Sequence, residues 1–183
     1  MRLESVRVSG TRLPRPRGWL ANVPQLVWAP GAASVLLLAV GVLGLAAHQP
    51  WLFPSLGPTA YFQAVTPEHP ATRFYNIFVG HLVGLAAGFA AVWIVGAQAA
   101  LPVVASHDLT PARLWAAVLA LGLTTLVALL LRASHPPAGA TTLLVAPGSF
   151  NSAADALIVV SGVLLLAVLG EIARFLRAGE VPP

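Results

Sequence analysis

Cysteine is absent from this 183-residue chain, which excludes disulfides and thiolate metal sites and leaves the redox compartment unmarked. Lysine is absent too, so all ten basic residues are Arg. With the heavy use of Ala, Gly and Leu, that skew points to a genome rich in G and C more than to a mechanism. Charge of either sign is scarce. Charged residues make up 9% of the chain against 57% hydrophobic, and the mean hydropathy is +0.82, far more apolar than a soluble domain that must cover itself in charge. The composition implies an integral membrane protein. With no Cys and six scattered acids, the chain offers no convincing nucleophile or metal constellation, so neither an enzyme, a cofactor nor a resident metal is expected. The net charge of +4 is no nucleic-acid signal, because five of the ten Arg fall within residues 2–17.

Those five belong to the leader "MRLESVRVSGTRLPRPRGWL". It reads as a basic cytosolic segment over residues 1–29, the alternatives being a signal peptide ending near Ala47 or an organelle transit peptide. A signal peptide has a shorter basic region, and the apolar stretch that follows is long enough to remain as a span. Four apolar segments, 31–48, 74–97, 112–131 and 153–170, approach the ~20 residues that a bilayer-crossing helix needs. Two stretches break this pattern. "FPSLGPTA" and "SHPPAGATTLLVAPGS" place prolines and glycines between long apolar segments. Helix over 54–66 or 137–146 reaches only ~15–20 Å, about half the hydrocarbon thickness. The expected fold is all-α and polytopic, with four long transmembrane helices plus two short half-helices, broken or re-entrant, in a domain over 30–176 followed by a tail at 177–183.

Sliding the chain by 82 residues superposes "PSLGPTA" on "PPAGATT", aligning Pro54, Gly57 and Thr59 with Pro136, Gly139 and Thr141. Residues 54–88 give eight identities in 35 positions, about twice the chance level for so biased a composition. The weight therefore rests on the shared P-x-x-G-x-T. It predicts an internal two-fold repeat with halves near 30–100 and 111–176, each reading long helix, half-helix, long helix. If the half-helices re-enter, there are four spans with Arg73 and Arg132 outside; if they cross, there are six, the halves are inverted and Arg113 alone is outside. The Arg bias favours crossing and the shortness of the motifs favours re-entry. Both arrangements put both termini inside.

"HPPAGATTLL", lying between two apolar helices, resembles the HPP family of small integral membrane proteins, named for the triplet that stands here as His135, Pro136 and Pro137. "FPSLGPTA" and "GHLVG" are similar to the same family, and the likeness covers most of residues 30–175. The resemblance implies a membrane-embedded, transporting protein, and some photosynthetic relatives are associated with nitrite movement.

A helix start inside a bilayer leaves N–H groups that water cannot reach, which is costly unless something pairs with them. An anion does so, drawn by the positive end of the helix dipole. Pro54 and Pro137 suit a first helical turn, because their missing N–H would have been unpaired anyway. On this reading Gly57 and Gly139 let a ligand approach the backbone, while Ser55, Thr59, Thr141 and Thr142 donate hydroxyl hydrogen bonds. The alternative gives the same residues to tight helix packing, with the hydroxyls bonded back to their own helix.

His135 caps the second half-helix, contacts substrate, carries a proton at a reference pKa of ~6.5, or bonds a loop carbonyl. Its counterpart in the first half is Phe53. His81 lies eight residues past Arg73 and so ~12 Å deeper, where an ionisable group faces a cavity or a partner such as Ser or Thr. Gly80, Gly84 and Gly88 share one helix face and read as a packing stripe. Arg73 and Arg132 read as topology anchors, the alternative being attraction of an anion at a vestibule, and Glu171 with Arg174 and Arg177 as helix-end pairing.

The expected function is a small secondary transporter or facilitator for a small inorganic anion, with nitrite the leading candidate through the resemblance. An anion-selective channel and a non-transporting membrane subunit or sensor are the alternatives. The lack of interior Lys or Arg suits a weakly held monovalent anion. Expected partners are the lipid bilayer, the anion and further copies in a homo-oligomer, without nucleic acid. The expected location is a bacterial inner (plasma) membrane with both termini cytoplasmic.

Overall fold

The computed structural model describes residues 19–178, so the readings placed on the basic leader up to residue 18 and on the tail from residue 179 lie outside the described residues. A chain this apolar has to satisfy its backbone locally, and every regular element among the described residues is helical. In order they are α1 (Gln25–Ala47), α2 (Leu56–Val65), a 3-10 turn (Pro70–Thr72), α3 (Phe74–Val95), α4 (Val103–Ser106), α5 (Pro111–Leu130), α6 (Ala138–Val145) and α7 (Ala153–Ala178). Helices α1, α3, α5 and α7 are long and apolar enough to cross a membrane. Helices α2 and α6, with 10 and 8 residues, are the two expected short ones. The four-residue α4 is an addition to the expected set.

Two boundaries move. Helix α1 begins at Gln25, inside the stretch assigned to the leader, because the Pro24 carbonyl accepts from the N–H groups of Val27 and Trp28, both at 2.9 Å. Helix α7 continues to Ala178, and Glu171 and Arg174, three residues apart on one face, form an ion pair within it. Arg177 does not join that pair. It donates to the carbonyls of Leu20 (2.8 Å) and Val23 (2.6 Å) and lies over the Trp28 ring, so it ties the entry to α1 to the end of α7.

Helix α3 is central, packed on α5, α6 and α7, while α1 packs on α2 and α7. Glycine explains how closely these helices lie. A Cβ at Gly80 would stand 3.0 Å from His135 Cβ, one at Gly84 2.7 Å from the Ala138 carbonyl oxygen, and one at Gly88 2.7 Å from Val145 Cβ. The missing side chains therefore form a groove in α3 that takes α6 and its lead-in, the two running the same way. On α7, Gly162 receives the Phe53 ring, at 2.8 Å from its missing Cβ, and Gly170 receives the Gln63 amide. That second groove takes α2.

Each half-helix ends beside the start of the long helix that precedes it. The Ala64 and Val65 carbonyls at the end of α2 accept from Trp28 Nε1 (3.1 Å) and Gln25 Nε2 (3.0 Å). The Ala146 carbonyl at the end of α6 accepts from Arg113 Nη1 at 3.1 Å. These side chains satisfy helix-end carbonyls that would otherwise be orphaned.

Candidate substrate site

The approach to α6 is fixed before any functional side chain is placed. Helix α5 ends as Arg132 takes a left-handed φ of 53°, a place more often given to Gly, and its N–H bonds the Leu129 carbonyl at 3.1 Å. Tyr75 Oη donates to the Leu131 carbonyl (3.0 Å) and Asn76 Nδ2 to the Ser134 carbonyl (3.1 Å), holding this turn against the start of α3. His135 is thereby laid over Gly80, and its ring centre stands 5.1 Å from that of His81. His135 Nδ1 donates to the Ala71 carbonyl at 2.7 Å. That carbonyl belongs to the 3-10 turn, whose start is capped by His69 Nδ1 accepting from the Ala71 N–H at 3.1 Å.

His81 is held from both sides. Its Nε2 lies 3.0 Å from Thr59 Oγ1, and its Nδ1 lies 2.6 Å from Thr141 Oγ1. Thr59 and Thr141 occupy the same place in the two P-x-x-G-x-T motifs, so the paired motifs meet on the two nitrogens of one imidazole. Thr59 Oγ1 is also 3.2 Å from His135 Nε2 and donates to the Ser55 carbonyl at 2.9 Å. Thr141 Oγ1 donates to Ser55 Oγ at 2.9 Å. The fronts of the half-helices are joined by these contacts, since Ser55 is the N-cap of α2 and His135 precedes α6. Ser55, Thr59 and Thr141 are fully buried, and His81 and His135 are only 1% and 4% exposed.

Five of the eight sequence-derived site residues thus converge: Ser55, Thr59, His81, His135 and Thr141. Thr142 turns away from them to share a hydrogen bond of 2.8 Å with Thr124 of α5. Gly57 and Gly139 do not touch the network. A Cβ at Gly57 would meet nothing within 4 Å, and one at Gly139 only Leu121 Cδ1 at 3.4 Å. The N–H groups at the front of α6 are also occupied, by turns of their own: Ala138 to the His135 carbonyl (2.9 Å), Gly139 to Pro136 (3.1 Å) and Ala140 to Pro137 (3.0 Å). Pro137 stands one place before the helix as its N-cap. The polar groups that converge here are therefore side chains, and the helix-start N–H groups of α6 that the anion reading invokes are already paired.

A cleft of about 220 Å³ opens between α5 and the front of α6, and its lining includes Thr124, Ser134, His135 and Gly139. The bare Cα of Gly139 faces that space. Sequence reasoning missed two groups beside the cluster and one buried residue at the far end of α6. The Ala71 carbonyl has no side-chain signature, and Thr124 has none that separates it from Thr125 beside it. Arg113 entered only as a topology marker. In fact it is 3% exposed, donates to the carbonyls of Ala100 (2.5 Å), Leu101 (3.4 Å) and Ala146 (3.1 Å), and lies against Gly148, where a Cβ would stand 2.6 Å from Cζ.

The model of the family described as HPP, transmembrane region, matches residues 20–180. Neither the curated proteins nor the solved structures compared with the chain gave a match.

Proposed function

The chain belongs to the HPP family of integral membrane proteins, and from that premise we propose that it is a secondary transporter or facilitator for a small monovalent inorganic anion, recognised where the two half-helices meet. The observation that carries this reading is the pair of motif threonines on the two nitrogens of His81. An ionisable ring fully buried among membrane-spanning helices is expensive and is kept there for a task. The groups around it are hydroxyls and imidazole nitrogens, which suit a weakly held anion that has to leave again. A water takes up ~30 Å³ of liquid volume, so the adjoining cleft of about 220 Å³, which reaches this cluster through His135 alone, has room for one small, partly hydrated ion at the edge of the cluster. Nitrite, with two acceptor oxygens and one charge, is the leading candidate.

The same reading takes the chain as two inverted halves with six crossings. Support comes from contacts that correspond under the 82-residue shift: Gly80 meets His135 while Gly162 meets Phe53, and Gly88 meets Val145 while Gly170 meets Gln63. The half-helix ends beside the starts of α1 and α5 suit crossing better than return. The basic leader then lies in the cytoplasm of a bacterial inner membrane and Arg113 on the far side. The test is uptake by proteoliposomes from a panel of nitrite, nitrate, formate and chloride. Saturable uptake of a small anion is expected. No protein-dependent flux would refute the reading, and a linear, non-saturating current would make the protein a channel.

A further inference from the structure

We infer that Gln63 is a second contact for the transported anion, one helical turn along α2 from the His81 cluster; this rests on the anion-transport reading above. Ser55, Thr59 and Gln63 stand four residues apart and so share one stripe of α2. All three are buried, Gln63 to 5% exposure. The neighbouring stripe of Leu56, Ala60 and Ala64 is buried too, and it is apolar. Under the 82-residue shift the polar stripe falls on Pro137, Thr141 and Val145 of the second half. The threonine is common to both halves, whereas valine stands where the amide would be.

Packing does not call for that amide. Gln63 is pressed against Gly170 as Val145 is pressed against Gly88, the same contact in the two halves, and in the second half an apolar side chain fills it. The amide also lowers stability where it lies. Neither its Nε2 nor its Oε1 has a hydrogen-bond partner, so burial strips its hydration without return. A side chain that packing does not need and stability disfavours marks a functional position.

Its chemistry fits the anion. Nε2 offers two N–H donors and no charge, which suits an ion that is held and then released. Its place fits a route. At a rise of ~1.5 Å per residue, Gln63 stands ~6 Å beyond Thr59 toward the end of α2. That end is held through its carbonyls by Trp28 and Gln25. There Val65 and Thr66 line a cavity of about 650 Å³ with Gln25, His69, Glu68 and Arg177, so both a carboxylate and a guanidinium stand at this mouth. An anion that passes along α2 between the cavity and Thr59 meets the Gln63 amide on the way.

Gln63→Met keeps the length of the side chain and removes both the donors and the acceptor. The test takes two readings on the same preparations: the unfolding temperature in detergent, and the KM for nitrite uptake by proteoliposomes, or for nitrate, formate or chloride where the wild type takes that ion instead. The variant should unfold above the wild type and yet show an apparent KM raised on the order of tenfold, the loss expected for one hydrogen bond to a charged group. A structural amide predicts the reverse pair, a lower unfolding temperature and an unchanged KM. Saturable wild-type uptake with the same KM in Gln63→Met would overturn the assignment and leave the anion reading intact. A fall in unfolding temperature, or failure of the variant to fold, would overturn it as well, since packing would then need the amide. Absence of saturable wild-type uptake for all four anions would overturn both.

Discussion

Two glycine substitutions should shift stability in opposite directions. A Cβ at Gly84 would lie 2.7 Å from the Ala138 carbonyl oxygen and 2.9 Å from Thr142 Oγ1, whereas one at Gly139 would meet only Leu121 Cδ1 at 3.4 Å. Ordinary carbon contacts begin at about 3.5 Å, so Gly84→Ala has to push the backbone of α6 away from α3, and such overpacking costs roughly 1–3 kcal/mol. Ala gains up to ~1 kcal/mol over Gly in a helix interior, which leaves Gly84→Ala destabilised by up to about 2 kcal/mol when that gain is realised in full. Gly139→Ala keeps the propensity gain without the clash. At roughly 2–4 °C per kcal/mol for a chain of this size, Gly84→Ala should unfold a few degrees below the wild type and Gly139→Ala slightly above it. Tryptophan fluorescence during heating in detergent reads both. If Gly84→Ala proved as stable as Gly139→Ala, the glycine groove would not be what seats α6. Flux measured on the same preparations adds a second contrast. Gly139→Val fills the cleft beside His135 and should slow anion uptake in protein that remains folded.

Three further outcomes follow from single contacts. Both amide atoms of Gln63 are buried without a hydrogen-bond partner, a state worth about 1–3 kcal/mol of lost stability. Gln63→Met should therefore raise the unfolding temperature, and a fall would show that the amide is satisfied. Arg113→Met strands the carbonyls of Ala100 and Ala146, and at about 1.5–3 kcal/mol per charge-assisted bond it should unfold well below the wild type. Wild-type stability in that variant would make Arg113 only a topology marker. His81→Asn keeps a donor toward Thr141 and removes Nε2 from Thr59, so it should assemble normally and lose saturable uptake, whereas unimpaired uptake would reduce His81 to a packing residue.

The long helices were legible because a 20-residue apolar run has one solution in a bilayer, and the half-helices because Pro and Gly interrupt such runs at matching places. His81 was legible from its depth alone. Its partners were not, because the shared spacing marks Thr59 and Thr141 as ligand donors and only the fold brings both onto the His81 ring. Acceptors that belong to the backbone left no trace: the Ala71 carbonyl looks like any other in a sequence, and so do those that hold Arg113. The occupied N–H groups at the front of α6 show a second limit. Whether a helix start is open to an anion depends on i to i+3 bonds in its first turn, which residue types do not dictate. Gln63 shows a third, because an amide on a short helix gives no sign that it will be pressed against Gly170.

The central claim is that the motif threonines recognise an anion through their hydroxyls. Nitrite uptake by proteoliposomes carrying Thr141→Ser or Thr141→Val tests it most directly, each normalised to the folded fraction by size-exclusion chromatography. Serine keeps the hydroxyl between His81 and Ser55, while valine keeps the shape and removes it. One buried hydrogen bond lost is worth about 1–3 kcal/mol, so the account predicts near wild-type saturation for Thr141→Ser and an apparent KM raised on the order of tenfold for Thr141→Val. Equal uptake by the two variants, at any common rate, would contradict it.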